Sequence, residues 1–96
     1  MGFAVLLAGA VLAATFIEQR KVLTCADTDG GVVTNVTGTV SGVTLVGGNY
    51  SLTDLCKTNT TLYEYACLTN ANGTYYQVWS ENCASLGKTC LNGRCQ

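Results

Sequence analysis

The sequence contains no histidine and few charged residues, and these shortages exclude several kinds of function. Its 96 residues include 5 Lys and Arg against 6 Asp and Glu, for a formal net charge of −1. Because binding to a nucleic-acid backbone needs clustered Lys and Arg, no nucleic-acid partner is expected. Acid–base or nucleophilic catalysis also has little support, since the carboxylates show no spacing that implies a facing pair. We therefore expect a protein that is not an enzyme and has no cofactor.

A metal site is poorly supported for similar reasons. No two cysteines form a C-x-x-C pair, and histidine is absent, so the usual zinc ligand spacings are missing. The run Asp27-Thr28-Asp29-Gly30 is similar to the opening of a calcium loop, but the later ligands, including a bidentate acid, are missing. A turn stabilised by aspartate is the simpler interpretation. We predict no metal site.

Cysteine is abundant for so short a chain. The six cysteines all follow the apolar N-terminal stretch, and they are Cys25, Cys56, Cys67, Cys83, Cys90 and Cys95. An even count in a small module predicts three disulfides and an oxidising compartment. Each disulfide would contribute about 2–4 kcal/mol, which offsets the small core of such a chain. The pairing stays open, except that we expect Cys83 to bond within the C-terminal tail.

Four N-x-S/T sequons follow residue 30. Their asparagines are Asn35, Asn49, Asn59 and Asn72. This number favours N-linked glycans on an outward-facing, extracellular surface. The alternative is that Thr-rich strands generate sequons by accident.

The N-terminal segment is apolar on all sides. Met1 to Ile17 carries no charge, and Glu18-Gln19-Arg20-Lys21 follows it. Such a segment predicts a helix buried in lipid or among copies of itself, with a length near the lower limit for crossing a bilayer. We predict an α+β fold, with a long hydrophobic assembly or transmembrane helix over residues 1–24. A small disulfide-rich antiparallel β head would follow over residues 25–96.

Small residues recur four apart in this segment. The pairs are Ala4 and Ala8, Gly9 and Ala13, and Ala10 and Ala14. Small-xxx-small spacing lets helix backbones approach closely in apolar surroundings. We therefore predict helix-to-helix packing between copies of the chain, with a simple membrane anchor as the alternative.

The charges after the apolar segment bear on its orientation. Arg20 and Lys21 would by themselves leave the head in the cytoplasm under the positive-inside rule, which conflicts with the cysteines and the sequons. A basic leader that preceded Met1 and was removed by processing would resolve the conflict. A cleaved secretory signal is the alternative, although the segment begins without a basic n-region.

Residues 1–24 resemble archaeal type IV pilins, whose mature subunits begin with a hydrophobic helix and carry a β-rich head. The resemblance implies a structural subunit of an extracellular filament used for adhesion, a helical homopolymer that is membrane-inserted before assembly. The chain departs from bacterial pilins in lacking a glutamate near its N-terminus, since Glu18 is the first acid. Alternatives are a membrane-anchored disulfide-rich binding module, or a secreted toxin or inhibitor with a retained signal.

The head shows two strand patterns. Alternation over Val32 to Val40 predicts a half-buried strand, and the change of parity after Ser41-Gly42 predicts a turn or bulge there. Thr61 to Thr69 and Thr74 to Ser80 predict a hairpin with Asn72-Gly73 at its tip. Its aromatic residues would make cross-strand pairs or line a sugar-binding face. They are Tyr63, Tyr65, Tyr75, Tyr76 and Trp79.

Overall fold

The computed structural model describes residues 14–28 and 35–96, and nearly all regular structure in these ranges is β. The strands are β1 (Thr15–Val22), β2 (Ala26–Asp27), β3 (Thr39–Val43), β4 (Asn49–Thr53), β5 (Leu55–Cys56), β6 (Thr61–Asn70), β7 (Gly73–Asn82), β8 (Cys90–Leu91) and β9 (Arg94–Cys95). A 3-10 helix spans Cys83–Leu86 and is capped by the side chain of Asn82.

The strands form three antiparallel sheets. The largest has the order β1-β7-β6-β5, the second has the order β2-β3-β4, and the third is the two-stranded pair β8-β9. The long strands β6 and β7 are the centre of the largest sheet, and each pairs along almost its full length with the other. Strand β1 forms one edge of that sheet through its pairing with β7.

The predicted α+β class with an N-terminal helix over residues 1–24 is wrong in the part that the structure describes. Thr15–Val22 is a strand, because Thr15, Phe16 and Ile17 are good strand formers and the outer edge of β7 offers them backbone partners. Within residues 14–28 and 35–96, no helix has the length and hydrophobicity needed to cross a bilayer. The interpretation as a pilin that polymerises through a helix therefore loses its structural basis, and we do not retain it.

The structure describes only one of the predicted helix-packing residues. Ala14 immediately precedes β1 and belongs to no helix. The other small residues lie outside the described residues, and they are Ala4, Ala8, Gly9, Ala10 and Ala13.

The predicted hairpin over residues 61–80 is present as β6 and β7. Its tip differs in detail, because Asn70 pairs with Gly73 and the two-residue loop is Ala71-Asn72. Gly73 has a positive φ of 139°, whereas Asn72 does not adopt a positive φ. The side chain of Asn70 accepts a hydrogen bond from the backbone N–H of Asn72, which stabilises the turn locally.

The turn or bulge predicted at Ser41-Gly42 is wrong, since β3 runs through both residues and both pair with β4 without a shift in register. Gly42 is needed for another reason: a Cβ there would collide with the backbone carbonyl of Thr24. Of the strand predicted over Val32 to Val40, residues 35–38 are not strand, with a turn at Asn35 and a bend at Val36, and β3 begins at Thr39. Val32 lies outside the described residues.

Strand β6 is covered on both of its faces. Leu62, Glu64 and Ala66 are buried, while the alternating residues between them are half-buried. On the face that carries Leu62, a core cluster contains Cys83, Cys90 and Cys95 from the C-terminal tail. On the other face, Tyr76 of β7 contacts Tyr50 of β4, so the three-stranded sheet packs there.

All six cysteines are paired. Cys25–Cys67 joins the segment before β2 to β6, and Cys56–Cys90 joins β5 to β8. Cys83–Cys95 closes a loop inside the tail, in agreement with the pairing expected for Cys83. These bonds link the two larger sheets and the tail covalently, which a core of this size needs.

Candidate functional site

The four sequon asparagines are all exposed. Asn35 lies in the turn before β3, and Asn49 is the first residue of β4. Asn59 lies in the connection between β5 and β6, and Asn72 lies in the loop of the β6-β7 hairpin. Each side chain can therefore project a glycan into solvent. Whether the four positions carry glycans stays a prediction.

The sequons fall at both ends of the β6-β7 hairpin. Asn49 pairs with Val43, and the carbonyl of Val43 accepts a hydrogen bond from the N–H of Leu23, just after β1. Asn49 therefore lies near the end of the hairpin that carries Asn72. At the opposite end, the carbonyl of Asn59 accepts a hydrogen bond of 2.7 Å from the N–H of Cys90. Glycans at these positions would cover separate parts of the surface.

The predicted aromatic set is divided between the two faces of the largest sheet. Tyr65 and Tyr76 contact each other, with ring centroids 6.5 Å apart. They lie on the face of the sheet that packs against the three-stranded sheet, called the inner face below. Tyr50 of β4 joins them, and its hydroxyl donates a 2.8 Å hydrogen bond to the carbonyl of Thr24. Burial raises the pKa of the Tyr50 and Tyr65 hydroxyls, and the nearby Tyr76 raises both further. These tyrosines pack the sheets together.

Phe16 and Trp79 form a second aromatic pair on the opposite face of the sheet. Their rings meet edge to face with centroids 5.4 Å apart, and Phe16 remains 45% exposed. The indole N–H of Trp79 donates to Oε1 of Gln77 at 3.2 Å, and Nε2 of Gln77 donates to Oε1 of Gln19 at 3.2 Å. An aromatic surface bordered by amides can stack on and hydrogen-bond a polar ring.

Sequence reasoning missed Phe16 as a member of this face because it assigned Phe16 to a helix. The run Thr15-Phe16-Ile17 is rich in β-branched and aromatic residues, a signal that would have favoured a strand. Tyr63 was expected in the same set, but it lies on the inner face, where Nζ of Lys57 sits 5.4 Å from its ring centroid.

A buried carboxylate, Asp54, connects several elements. Its Oδ2 accepts a 2.8 Å hydrogen bond from the N–H of Gly38, and its Oδ1 accepts one of 2.9 Å from the N–H of Tyr65. Its own N–H donates to the carbonyl of Gly38 at 2.9 Å. Burial raises the pKa of Asp54, although these two N–H groups and the Glu64 side chain lower it in part. The Asp54 side chain therefore connects the chain before β3 to strand β6 through hydrogen bonds.

Glu64 and Glu81 are also fully buried. Glu64 is paired across the sheet with Trp79, and Glu81 with Leu62, so both side chains lie on the face that carries Trp79. Neither carboxylate oxygen of Glu81 has a hydrogen-bond partner among the described residues. Burial raises the pKa of Glu81. Alternation along β6 could have placed Glu64 on the buried face, but nothing in the sequence marked Glu81.

A groove of about 340 Å³ lies near the C-terminal end of β1. It is lined by Arg20, Lys21 and Tyr76 on one side and by the turn that carries Leu45 and Val46 on the other. Val46 is 95% exposed. The groove combines two cations with apolar side chains and no carboxylate.

Metal-binding geometry is not found in residues 14–28 and 35–96, where no group of three or more His, Cys, Asp or Glu side chains could hold an ion. Asp27 lies in β2, whereas Asp29 and Gly30 of the same motif fall outside the described residues.

No protein-family model matches the chain, and no curated protein or solved structure matches it either. Function is therefore inferred from the residues of the chain itself.

Proposed function

We propose that the chain is a non-catalytic structural module of a cell surface, N-glycosylated and located outside the cell. The observation that carries this proposal is that all four sequon asparagines are exposed in a fold whose six cysteines are all paired. Disulfides form and persist in oxidising surroundings, and N-glycans occur on the surfaces of exported proteins. Both features therefore point to the same compartment.

The arrangement of the disulfides supports a protective role. Cys25–Cys67 and Cys56–Cys90 close loops with sequence separations of 42 and 34 residues. Long closed loops restrict the unfolded chain most strongly, by about 4 kcal/mol each in the chain-entropy account. A module exposed to proteases and heat outside the cell gains most from such restriction, because its core is small.

The carboxylates give further support to a non-catalytic role. Asp54 is occupied by two backbone N–H groups, and Glu64 and Glu81 are fully buried rather than placed at the mouth of a cleft. A general acid or base must reach the proton that it transfers. The carboxylates near the core are therefore better explained as structural groups.

Glycopeptide mass spectrometry of the native protein tests the proposal, combined with protease treatment of intact producing cells. We expect peptides that contain Asn35, Asn49, Asn59 or Asn72 to carry added glycan mass, and we expect the protein to be cleaved or labelled without lysis. Asn70, Asn82 and Asn92 are internal controls, because they are not in sequons. Four unmodified sequons, or labelling only after lysis, would contradict the proposal.

A second candidate function is carbohydrate binding by the Phe16–Trp79 surface, which the neighbouring amides of Gln77 and Gln19 favour. Trp79 is the single tryptophan of the chain, so its emission reports on this surface alone. We expect oligosaccharides to shift that emission in the native protein and not in Phe16→Ala. Leu91→Ala, at an exposed residue of the tail, is the matched control. An unchanged emission spectrum across a panel of oligosaccharides would remove this candidate.

A further inference from the structure

Strand β1 forms an open edge of the four-stranded sheet. Among the described residues it pairs only with β7, and seven of its eight residues, Thr15 to Lys21, are exposed. In an antiparallel sheet, alternate residues of an edge strand direct their backbone N–H and C=O groups away from the sheet. Such an edge is a template for a further strand, unless the sequence prevents the pairing.

The sequence of β1 is complementary to itself. If β1 of a second copy pairs antiparallel with the two Gln19 residues opposite each other, Glu18 of each copy lies opposite Arg20 of the other. The register concerns the part of β1 from Glu18 onward, because the pairing of β1 with β7 is irregular between Phe16 and Glu18. Opposite charges in directly facing positions stabilise a sheet, so this register gains two such pairs by symmetry.

The charges also select this register against its neighbours. Centring the pairing on Glu18 would place two carboxylates opposite each other, and centring it on Arg20 would place two guanidinium groups opposite each other. Like charges in facing positions are destabilising. Within one copy, Nε of Arg20 already lies 3.7 Å from Oε2 of Glu18, and both side chains are largely exposed. An exposed ion pair of this kind is weak, so each group can exchange it for a contact with a second copy.

Gln19 provides a second, independent observation. Its Oε1 accepts a hydrogen bond from Gln77, which in turn accepts one from Trp79, so a row of polar groups crosses the sheet and ends at the open edge. Among the described residues, Nε2 of Gln19 has no acceptor. Directly opposite residues of an antiparallel pair project from the same face, so Gln19 of a second copy would supply an acceptor there.

We propose that β1 is a homodimerisation strand, and that two copies of the chain join edge to edge about Gln19 to form a continuous eight-stranded sheet. The occupant of the edge is a second copy, because antiparallel pairing of β1 with itself about Gln19 places each Glu18 opposite an Arg20. This interface goes beyond the proposed surface role and does not depend on glycosylation.

Cysteine cross-linking of the full-length chain tests the register. Facing residues in an antiparallel pair have Cα atoms about 4.5–5.5 Å apart, within the range that a disulfide bridges. Gln19→Cys should therefore form a covalent dimer under mild oxidation. Lys88→Cys, at an exposed position in the tail, is the control and should dimerise about tenfold less. The three native disulfides are verified by peptide mapping in each variant.

Charge reversal then tests the cause of the pairing. Glu18→Arg in the Gln19→Cys background should reduce cross-linking about tenfold, since Arg then faces Arg. Adding Arg20→Glu restores opposite charges and should restore cross-linking, while circular dichroism shows that all variants fold. The proposal is overturned if Gln19→Cys dimerises no better than Lys88→Cys, if Glu18→Arg has no effect, or if the double reversal remains monomeric.

Discussion

Asp54 and Glu81 are both buried acids, but they differ in the hydrogen bonds that their carboxylates accept. Asp54 accepts hydrogen bonds from the N–H groups of Gly38 and Tyr65, so its charge is partly compensated. Glu81 is 0% exposed, and its carboxylate oxygens have no hydrogen-bond partner among the described residues. An uncompensated buried charge is costly, and the carboxyl responds by holding its proton more tightly. Glu81 is therefore a point of weakness in the fold at neutral pH.

The pKa of Glu81 predicts how stability depends on pH. Burial raises this pKa above its ordinary value of 4.5, so the folded protein binds the proton more tightly than the unfolded chain does. The resulting stability is present below that value and is lost as pH rises through the folded-state pKa. Glu81→Gln removes the titration and should raise the free energy of unfolding at neutral pH above that of the native chain.

Urea denaturation of both proteins between about pH 4 and pH 7 checks this expectation. The stability of the native chain should fall across the range, and Glu81→Gln should show a smaller fall. Lys88→Gln, at an exposed position in the tail, is the control and should follow the native curve. Parallel curves for Glu81→Gln and the native protein would show that Glu81 does not titrate differently on folding.

The sequence identified the cysteines and sequons, but it did not identify the buried carboxylates. A cysteine count and an N-x-S/T pattern are local features, and the surface position of Asn72 follows from its own loop. The burial of Glu81 depends on its pairing with Leu62 and on the tail that folds back over that end of the sheet. No local pattern contains that information, because the covering residues come from distant parts of the chain.

The chain contains Asn-Gly twice, and the two copies form different turns. At Asn72-Gly73 the loop is shifted by one residue, so only Gly73 has a positive φ. At Asn92-Gly93, Leu91 pairs with Arg94, and both central residues have positive φ, at 56° and 74°. The second arrangement is the one that a type I′ hairpin requires. The Asn-Gly signal predicts a two-residue turn in which both residues have positive φ. That turn is present in the tail hairpin and not in the β6-β7 hairpin.

Gly93 is expected to be essential where the β8-β9 hairpin packs against the backbone of Asp54. A Cβ at this position would collide with the backbone carbonyl of Asp54, and the positive φ adds strain. Gly93→Ala should reduce the free energy of unfolding by roughly 2–3 kcal/mol. Gly87 also has a positive φ, of 72°, but nothing lies within 4 Å of the added atom.

Gly87→Ala is therefore the matched control, and it should cost only about 1 kcal/mol from backbone strain. Chemical denaturation of the two variants gives the comparison. Equal losses would mean that the contact with Asp54 contributes nothing beyond the backbone conformation.

Strand β1 shows how a neighbour can decide the type of an element. An apolar run read without its surroundings fits either a buried helix or a strand, and the absence of charge up to Ile17 favoured the helix. The edge of β7 supplies backbone hydrogen-bond partners from Thr74 to Ser80, and the chain from Thr15 onward pairs with them. Long-range pairing of this kind overrides a local preference.

We expect the three disulfides to supply a large share of the stability of the fold. Three disulfides at about 2–4 kcal/mol each sum to roughly the total stability of an ordinary small domain. They connect the two larger sheets and the tail, and the core cluster around Leu62 is itself built largely from cysteines. The protein should therefore depend on oxidising conditions more than a domain with a larger core does.

Full reduction followed by alkylation should unfold the protein at room temperature. We expect loss of the near-ultraviolet circular dichroism of Trp79 and the tyrosines, together with rapid digestion by trypsin at Lys57, Lys88 and Arg94. The oxidised protein, treated identically without reductant, is the control. A reduced and alkylated chain that still unfolds cooperatively would show that the non-covalent core is sufficient.

The sequence by itself determined the cysteine framework, the positions of the sequons and the long hairpin, because each depends on residue type and on neighbours close in the chain. The tertiary structure decided that Thr15–Val22 is an edge strand, that Asp54, Glu64 and Glu81 are buried, and which cysteines pair. These outcomes depend on contacts between segments far apart in sequence. Backbone groups and covering side chains from those segments meet only after the chain has folded.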